Sequence, residues 1–262
     1  MALVCCFCAS AAIGSWAVEP SVMIIHRLIL QYLAHRDDPA FYEFQAEDAV
    51  GWLERWGVVP GPGVRALDLG CGHGTFGAVL SKRGCEVTYS DESNNLMPKL
   101  AGARFLKFNI DTDDLAGLGS YDLVICSNVY EHLAKPGPFL ENVARILNPD
   151  GRLYLSWTNW LSAWGGHEFS PFHYLGPRRG HRVYDKLVKR PRKHTPYVNL
   201  FPTYVGETMK KVRTIPELRL LRAAPRYYPE LAVLLRLPVL REFLAWNCAL
   251  LIGRVDATRS GQ

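Results

Sequence analysis

The chain lacks most of the features that would assign it to a special class. Its seven cysteines stand at positions 5, 6, 8, 71, 85, 126 and 248. An odd number without a paired framework argues against a disulfide-stapled secreted fold and fits a reduced, cytoplasmic setting. The cluster Cys5-Cys6-Phe7-Cys8 has no second Cys/His cluster at finger spacing, so no zinc site is expected there. No G-K-[ST] follows a glycine loop, which excludes a P-loop. Internal repeats and long low-complexity tracts are missing as well, which excludes a solenoid. Charge is absent from the first eighteen residues, MALVCCFCASAAIGSWAV. No Lys or Arg precedes this apolar run, Ser and Gly interrupt it, and its length only just reaches that of a membrane span. It reads as a disordered leader, a mis-set start or a peripheral membrane contact, in that order.

What is present suits one large α/β domain or one domain with an inserted cap: 262 residues, 48% hydrophobic and 21% charged. The formal net charge of +5 is unevenly placed. Between Pro177 and Arg222 thirteen Lys+Arg face three Asp+Glu, which leaves the remainder of the chain acidic. A basic segment on an acidic body points to an anionic substrate or surface, beside the plainer reading of a solvated charged face. Nucleic acid is a poor candidate, because the segment carries no binding motif and the acidic remainder gives no extended basic face.

Helical spacing from Ser21 to Leu33 and from Phe41 to Trp56 predicts two helices, closed by Gly57 and Pro60-Gly61-Pro62-Gly63. Strands are then predicted over 64–69, 85–90, 104–108, 121–127 and 152–157, with helices over 75–83, 94–100 and 138–147 between them. The run YDLVICS (121–127) is apolar enough to be buried on both faces, and Asn148-Pro149-Asp150-Gly151 is a turn sequence. The alternation predicts a doubly wound, Rossmann-like, mostly parallel sheet. Residues 158–205 break it and read as an insertion at the sheet's carboxyl edge. Beyond them a helix (206–213), strand (218–224), helix (238–244) and strand (246–254) are expected. The chain divides accordingly into an N-terminal leader with helices (1–57), a core (58–157), a basic insertion (158–205) and a C-terminal part of the same domain (206–262).

The loop after the first strand reads ALDLGCGHGTF (66–76). Glycines directly after a strand let a ligand lie against the main chain. A dinucleotide fold wants G-x-G-x-x-G. Here Gly70, Gly72 and Gly74 alternate, Thr75 stands where the third spaced glycine belongs, and Asp68 precedes the loop. An acid beside the glycines repels a pyrophosphate and suits a cationic cofactor.

At this point the segment resembles the cofactor loop of class I S-adenosylmethionine-dependent methyltransferases of the type 11-like group. Four further segments follow in the family's order. Asp91, 21 positions after Gly70, ends the second strand, where a carboxylate can accept from both ribose hydroxyls. Asn109-Ile110-Asp111 follows the third strand, where the family uses an Asp for the adenine amino group. Ser127-Asn128-Val129-Tyr130-Glu131-His132-Leu133 resembles the family's "EHL" segment beneath the methionine part. Leu147 to Leu153 matches its turn into strand five. The resemblance covers about residues 60–254 and implies a seven-stranded sheet with an antiparallel C-terminal strand. It implies S-adenosyl-L-methionine as cofactor, held by Asp68, Gly70, Gly72, Gly74, Asp91, Asn109, Asp111, Ser127 and Asn128. Under it Cys71 is a tolerated small residue and His73 packs over the methionine tail, with no metal ligands beside it.

A sulfonium is an activated methyl donor, so the protein has chiefly to align a nucleophile and, for a hydroxyl acceptor, help remove its proton. The candidate bases are His132 and the residues of GGHEFSPFHYLG (165–176): His167 or His173, with Glu168 as partner. A tight aromatic loop with both histidines bonded internally is the competing reading. This segment, PRYYP (225–229) and PVLREFL (238–244) are similar to bacterial methyltransferases associated with cell-envelope glycolipid synthesis. That similarity implies a small-molecule or lipid-linked acceptor and an anionic membrane surface met by Arg178, Arg179, Arg182, Lys186, Lys189, Arg190, Arg192 and Lys193, hence a cytoplasmic protein, peripheral at the inner face of the membrane. The alternative to an enzyme is a methyltransferase-fold binding or scaffold protein without turnover.

Overall fold

The computed structural model describes residue 30 and residues 39–255. The leader and most of the helix expected at 21–33 lie outside the described residues. The first complete element is helix α1 (Pro39–Arg55), followed by β1 (Arg65–Leu69), α2 (Thr75–Lys82), β2 (Glu86–Asp91), β3 (Arg104–Lys107), β4 (Tyr121–Ser127), α3 (Pro136–Ile146) and β5 (Leu147–Thr158). Helices α4 (Pro177–Leu187) and α5 (Val205–Thr214), strand β6 (Leu218–Pro225), helix α6 (Leu240–Leu244) and strand β7 (Asn247–Arg254) complete the chain. The seven strands form one sheet in the order β3-β2-β1-β4-β5-β7-β6. The first five pair in parallel, and β7 runs antiparallel to both β5 and β6. This is the doubly wound arrangement expected, with an antiparallel closing pair. Strand order reverses between β1 and β4, so the chains leaving their carboxyl ends diverge and open a crevice there.

Period-two alternation distributes the strands' side chains between two cores. Leu67, Leu69, Val124, Cys126, Leu153, Leu155, Leu250 and Ile252 join α3 and α5 on one face. Ala66, Leu123, Ile125, Tyr154, Ala249 and Leu251 meet Ala46, Val50 and Leu53 of α1 and Leu80 of α2 on the other. Both faces are covered, which is why β4 and β7 read as continuous apolar runs.

Three expectations are corrected. The helix over 94–100 shrinks to one 3-10 turn, Pro98–Leu100, because the residue before a proline is excluded from helical backbone and Met97 is extended at φ −54°, ψ 147°. The turn at 148–151 is absorbed into β5 as a bulge: pairing steps from Tyr121 with Leu147 to Leu123 with Arg152. The insertion holds an unforeseen helix, α4, which starts on Pro177 after Gly176 and buries only Gly180 and Tyr184. A short 3-10 segment, Pro229–Arg236, was also missed. The insertion packs on its own cluster of Trp160, Phe169, Tyr184 and Leu200.

Two helical glycines allow opposite predictions. A Cβ on Gly77 of α2 would stand 2.2 Å from the Tyr89 ring, whereas one on Gly51 of α1 would meet nothing within 4 Å. Gly77→Ala is expected to destabilise the fold by about 1–3 kcal/mol through overpacking. Gly51→Ala should stabilise it by roughly 0.5–1 kcal/mol through helix propensity. Urea midpoints of the two variants, compared at equal m, check both signs.

Candidate functional site

The glycine loop sits at the mouth of the crevice between β1 and β4. Gly70, Gly72 and Gly74 have φ of 72°, 52° and 78°, left-handed backbone that side chains disfavour. At Gly70 a Cβ would lie 2.5 Å from Val129 Cγ2, so the loops after β1 and β4 touch where that side chain would be. At Gly72 a Cβ would meet no atom within 4 Å, so the loop offers bare backbone to open space there.

Acids hold the loop in place. Asp68 is buried, and its Oδ2 accepts the Gly77 N–H of α2 at 2.7 Å. Burial pushes its carboxyl up to about 7; the Gly77 amide pulls it down, and the charge of Asp91 pushes it up further. Asp91 receives the Gly72 N–H on Oδ2 (2.8 Å) and the Glu92 N–H on Oδ1 (2.7 Å). Each oxygen keeps a further acceptor site. Glu92, not singled out in the sequence, accepts from Asn109 Nδ2 at 2.8 Å. The Asn109 Oδ1 accepts the Asp111 N–H at 2.9 Å. Asp111 itself receives the Ala134 and Lys135 amides, each at 3.1 Å, and so straps the β3 loop to the chain entering α3. Burial first, then Asp68 and Asp91, push the Cys71 thiol up to about 12, which disfavours its thiolate form. His73 reaches the Asn95 carbonyl through Nδ1 at 3.0 Å.

Beneath the crevice Ser127 and Ser156 share a hydrogen bond of 3.0 Å. Asn128, at φ 56°, accepts from Asn247 Nδ2 at 2.8 Å. The buried Arg226 donates to Ser127 Oγ (3.2 Å) and the Gln45 carbonyl (3.2 Å), and its guanidinium lies 5.5 Å from the Phe76 ring centroid. Among the described residues no carboxylate forms an ion pair with it. The sequence showed Arg226 only as part of PRYYP.

The insertion folds its histidines differently from expectation. His173 is fully buried, with Nε2 on the Ser162 carbonyl at 3.0 Å, and burial lowers its pKa. Gly166 packs on that ring, where a Cβ would lie 2.7 Å from His173 Cβ, so this half of GGHEFSPFHYLG is the tight internal loop. Glu168 pairs with neither His167 nor His173: its Oε2 stands 2.8 Å from Nδ1 of His194, a residue hidden in the basic run. His167 instead meets His132 and His194, with ring centroids 5.4 and 4.5 Å apart. His132 and His194 stack at 5.1 Å. Burial, then the neighbouring His194 and His132, take His167 down to about 3, so it is a neutral imidazole at physiological pH. His132 Nδ1 lies 2.7 Å from the Asn199 carbonyl. Glu131, 1% exposed, accepts the Thr158 N–H on Oε1 at 2.9 Å. Its Oε2 and the His167 Nε2 are buried without a hydrogen-bond partner.

The basic run divides as well. Arg192 is clamped by Asp185 (2.8 and 3.0 Å) and donates to Thr195 Oγ1 at 2.6 Å, so it braces the insertion and does not face outward with the rest. The other seven cations named above are exposed.

A family model described as a methyltransferase domain matches residues 67–153. An uncharacterized methyltransferase of Mycobacterium bovis is 32% identical over 241 residues, covering 86% of this chain and 92% of that one. A TehB-like SAM-dependent methyltransferase from Corynebacterium glutamicum superposes with a TM-score of 0.53 at 18% identity, over 90% of this chain and 98% of that one. The magnesium protoporphyrin IX methyltransferase of Synechocystis, solved with SAH, superposes at 0.50 and 18% identity, over 81% and 83% of the two chains.

Asp68 carries a pH signature. Its folded pKa of about 7 exceeds the unfolded value of about 4, so the folded chain keeps a proton that the unfolded chain has released. This contribution to stability is complete below about pH 4 and is lost as pH rises through 7. The depressed His167 acts oppositely, costing stability as pH falls below about 6.5. Asp68→Asn, which still accepts from Gly77, is expected to gain stability relative to the parent as pH rises from 5 to 8, read as the difference in melting temperature at each pH.

Proposed function

The chain belongs to the class I S-adenosylmethionine-dependent methyltransferases, and from that premise we propose that it methylates an oxygen of a small-molecule or lipid-linked, anionic acceptor. The observation that carries this reading is the pairing of an acidic, Cβ-free cradle with a histidine-lined wall. Gly70, Gly72 and Gly74 stand between Asp68 and Asp91, and His132 and His167 meet across the loop after β4.

The cradle fits a cationic cofactor better than a pyrophosphate. Asp91 would hold the ribose hydroxyls with its remaining acceptor sites, while Asn109 and Glu92 form the adjoining edge. Asp68 fixes the first turn of α2 against the end of β1, and a cationic cofactor would favour its charged form. Asp111, whose carboxylate receives two amides, positions the chain that carries His132. Asn128 and Ser127 are anchored by Asn247 and Ser156 and give the floor its shape. When bound, S-adenosylmethionine supplies the electrophilic methyl group. The protein's task is to orient the acceptor and exclude water. We assign that task to residues 158–205, with the imidazoles of His132 and His167 at the acceptor. Glu168 acts through His194, and His173 acts as packing within the insertion.

Calorimetric titration with S-adenosylmethionine is expected to give one site per chain, weakened at least tenfold in Asp91→Ala and little changed in His167→Ala. Formation of S-adenosylhomocysteine with a bacterial lipid extract should fall at least tenfold in His167→Ala. Absence of binding by the parent chain removes the reading, and binding without turnover favours a scaffold.

The exposed cations of α4 and the segment after it support an anionic surface as the acceptor's setting. A polybasic run contributes about 1 kcal/mol per residue near such a surface. Among the described residues no helix is long and apolar enough to cross a membrane. Replacing Arg179, Lys186 and Arg190 together by Glu is expected to abolish co-sedimentation with phosphatidylglycerol vesicles without changing the melting temperature. Arg192→Glu should instead lower the melting temperature, because it breaks the Asp185 clamp.

A further inference from the structure

We propose that Glu131, His132 and His167 form a binding site for one divalent first-row transition ion of the zinc class. The three residues offer one ligand atom each, and these atoms all lie within 4.8 Å of one another. Around a four-coordinate ion with bonds of about 2.0–2.2 Å, ligand atoms stand about 3.3–3.5 Å apart, so small side-chain rotations close the set.

Each ligand is prepared by what surrounds it. The Asn199 carbonyl can only accept, so His132 carries its proton on Nδ1 and leaves Nε2 as a bare lone pair. The amide of Thr158 holds Glu131 by Oε1 and leaves Oε2, buried and unpartnered, for a second interaction. His167 Nε2 is likewise buried and unpartnered, on a residue whose backbone is left-handed at φ 48°. A carboxylate oxygen buried without a donor is costly, and a cation is the partner that removes that cost. His194, oriented by Glu168, stacks on His132 and lies tilted against His167 with ring centroids 4.5 Å apart, so it packs against both imidazoles.

Two nitrogens and one carboxylate oxygen select zinc, cobalt, nickel or ferrous iron over magnesium or calcium, which prefer oxygen throughout. Three protein ligands leave a position open, the pattern of catalytic rather than structural sites. The role of that position rests on the methyltransferase reading, but the ion's binding does not. An acceptor hydroxyl held there would lose its proton to solvent more easily. Its oxygen lone pair would then form the new O–CH3 bond while the electrons of the broken C–S bond pass to sulfur.

The sequence suggested no metal because Glu131 and His132 are far from His167 along the chain, 35 residues in the case of His132, and only the insertion's return brings them together. The test uses the full chain with Cys5, Cys6 and Cys8 replaced by Ser, stripped with chelator and titrated with Zn2+ and Co2+. One equivalent is expected, with the visible d–d absorption of tetrahedral or five-coordinate Co2+. Glu131→Gln and His167→Ala should each weaken Zn2+ binding at least tenfold, while His73→Ala leaves it unchanged. An unchanged melting temperature of each metal-free variant reports that the fold is intact. No Zn2+ binding at micromolar concentration, or binding equally tight in both ligand variants, overturns the proposal. Stripped enzyme that binds S-adenosylmethionine but turns over only after Zn2+ is restored supports the catalytic role; full turnover without metal removes that role alone.

Discussion

The hydrogen bond from the Gly77 amide to Asp68, 2.7 Å long and buried, is the contact on which the site depends. It joins the end of β1 to the first turn of α2 and so sets the span that Gly70 to Gly74 must bridge. Burial pushes this carboxyl up to about 7, so near neutrality it is shared between its protonated and charged forms. Asp91 completes the frame from the neighbouring strand by holding Gly72, and Val129 closes it from the loop after β4 by filling the space of a Gly70 side chain. Three parallel strands thus converge on five residues of backbone, and their register fixes the loop before any ligand arrives. Alternating glycines follow from this crowding: two positions are blocked by neighbours, and the third stays open.

The opposite wall is built on different physics. Residues 158–205 have a core of their own and are held to the rest of the fold both through Trp246 and Glu242 and through hydrogen bonds to the turn after β4. The Phe201 amide donates to the Glu131 carbonyl at 2.7 Å, and the Asn199 carbonyl meets His132. The turn that follows β4 is therefore shared between cofactor side and insertion. A displacement of the insertion would act on the backbone of Glu131 and the ring of His132.

Much of this was legible from sequence, for a reason visible in its elements. The residues around the crevice sit at or just after the carboxyl ends of parallel strands, and all those ends lie along one edge of the sheet, so a place directly after a strand is enough to bring a residue there although the spatial order is β3-β2-β1-β4. Asp68, Gly70 and Asp91 follow that rule, as does the run from Ser127 to Leu133. Long-range pairing does not. Glu168 stands beside His167 in sequence yet bonds His194, 26 residues on. Arg192 is indistinguishable from its basic neighbours until Asp185 is seen beside it. Helix α4 was hidden because its buried face is only a glycine and a tyrosine four residues apart, too small a signal against four basic side chains and a histidine. Local pattern misled once as well: a helix was expected over 94–100, but Pro98 forces Met97 out of helical backbone.

The distribution of charge follows from the same division. Within the crevice, acids are consumed by backbone amides, so their negative potential is fixed in direction and needs no partner cation from the protein. Arg226 is the buried exception. Its two terminal nitrogens donate to two serines and a carbonyl, its Nε is buried without a partner, and the group lies over Phe76, at the start of α2. An unpaired buried cation is expensive unless nearby negative charge offsets it. Asp48 of α1 and Glu131 after β4 supply part of that offset electrostatically. Arg226 is thus tied to the floor of the site through Ser127 and Ser156, whereas the outward cations of α4 are exposed.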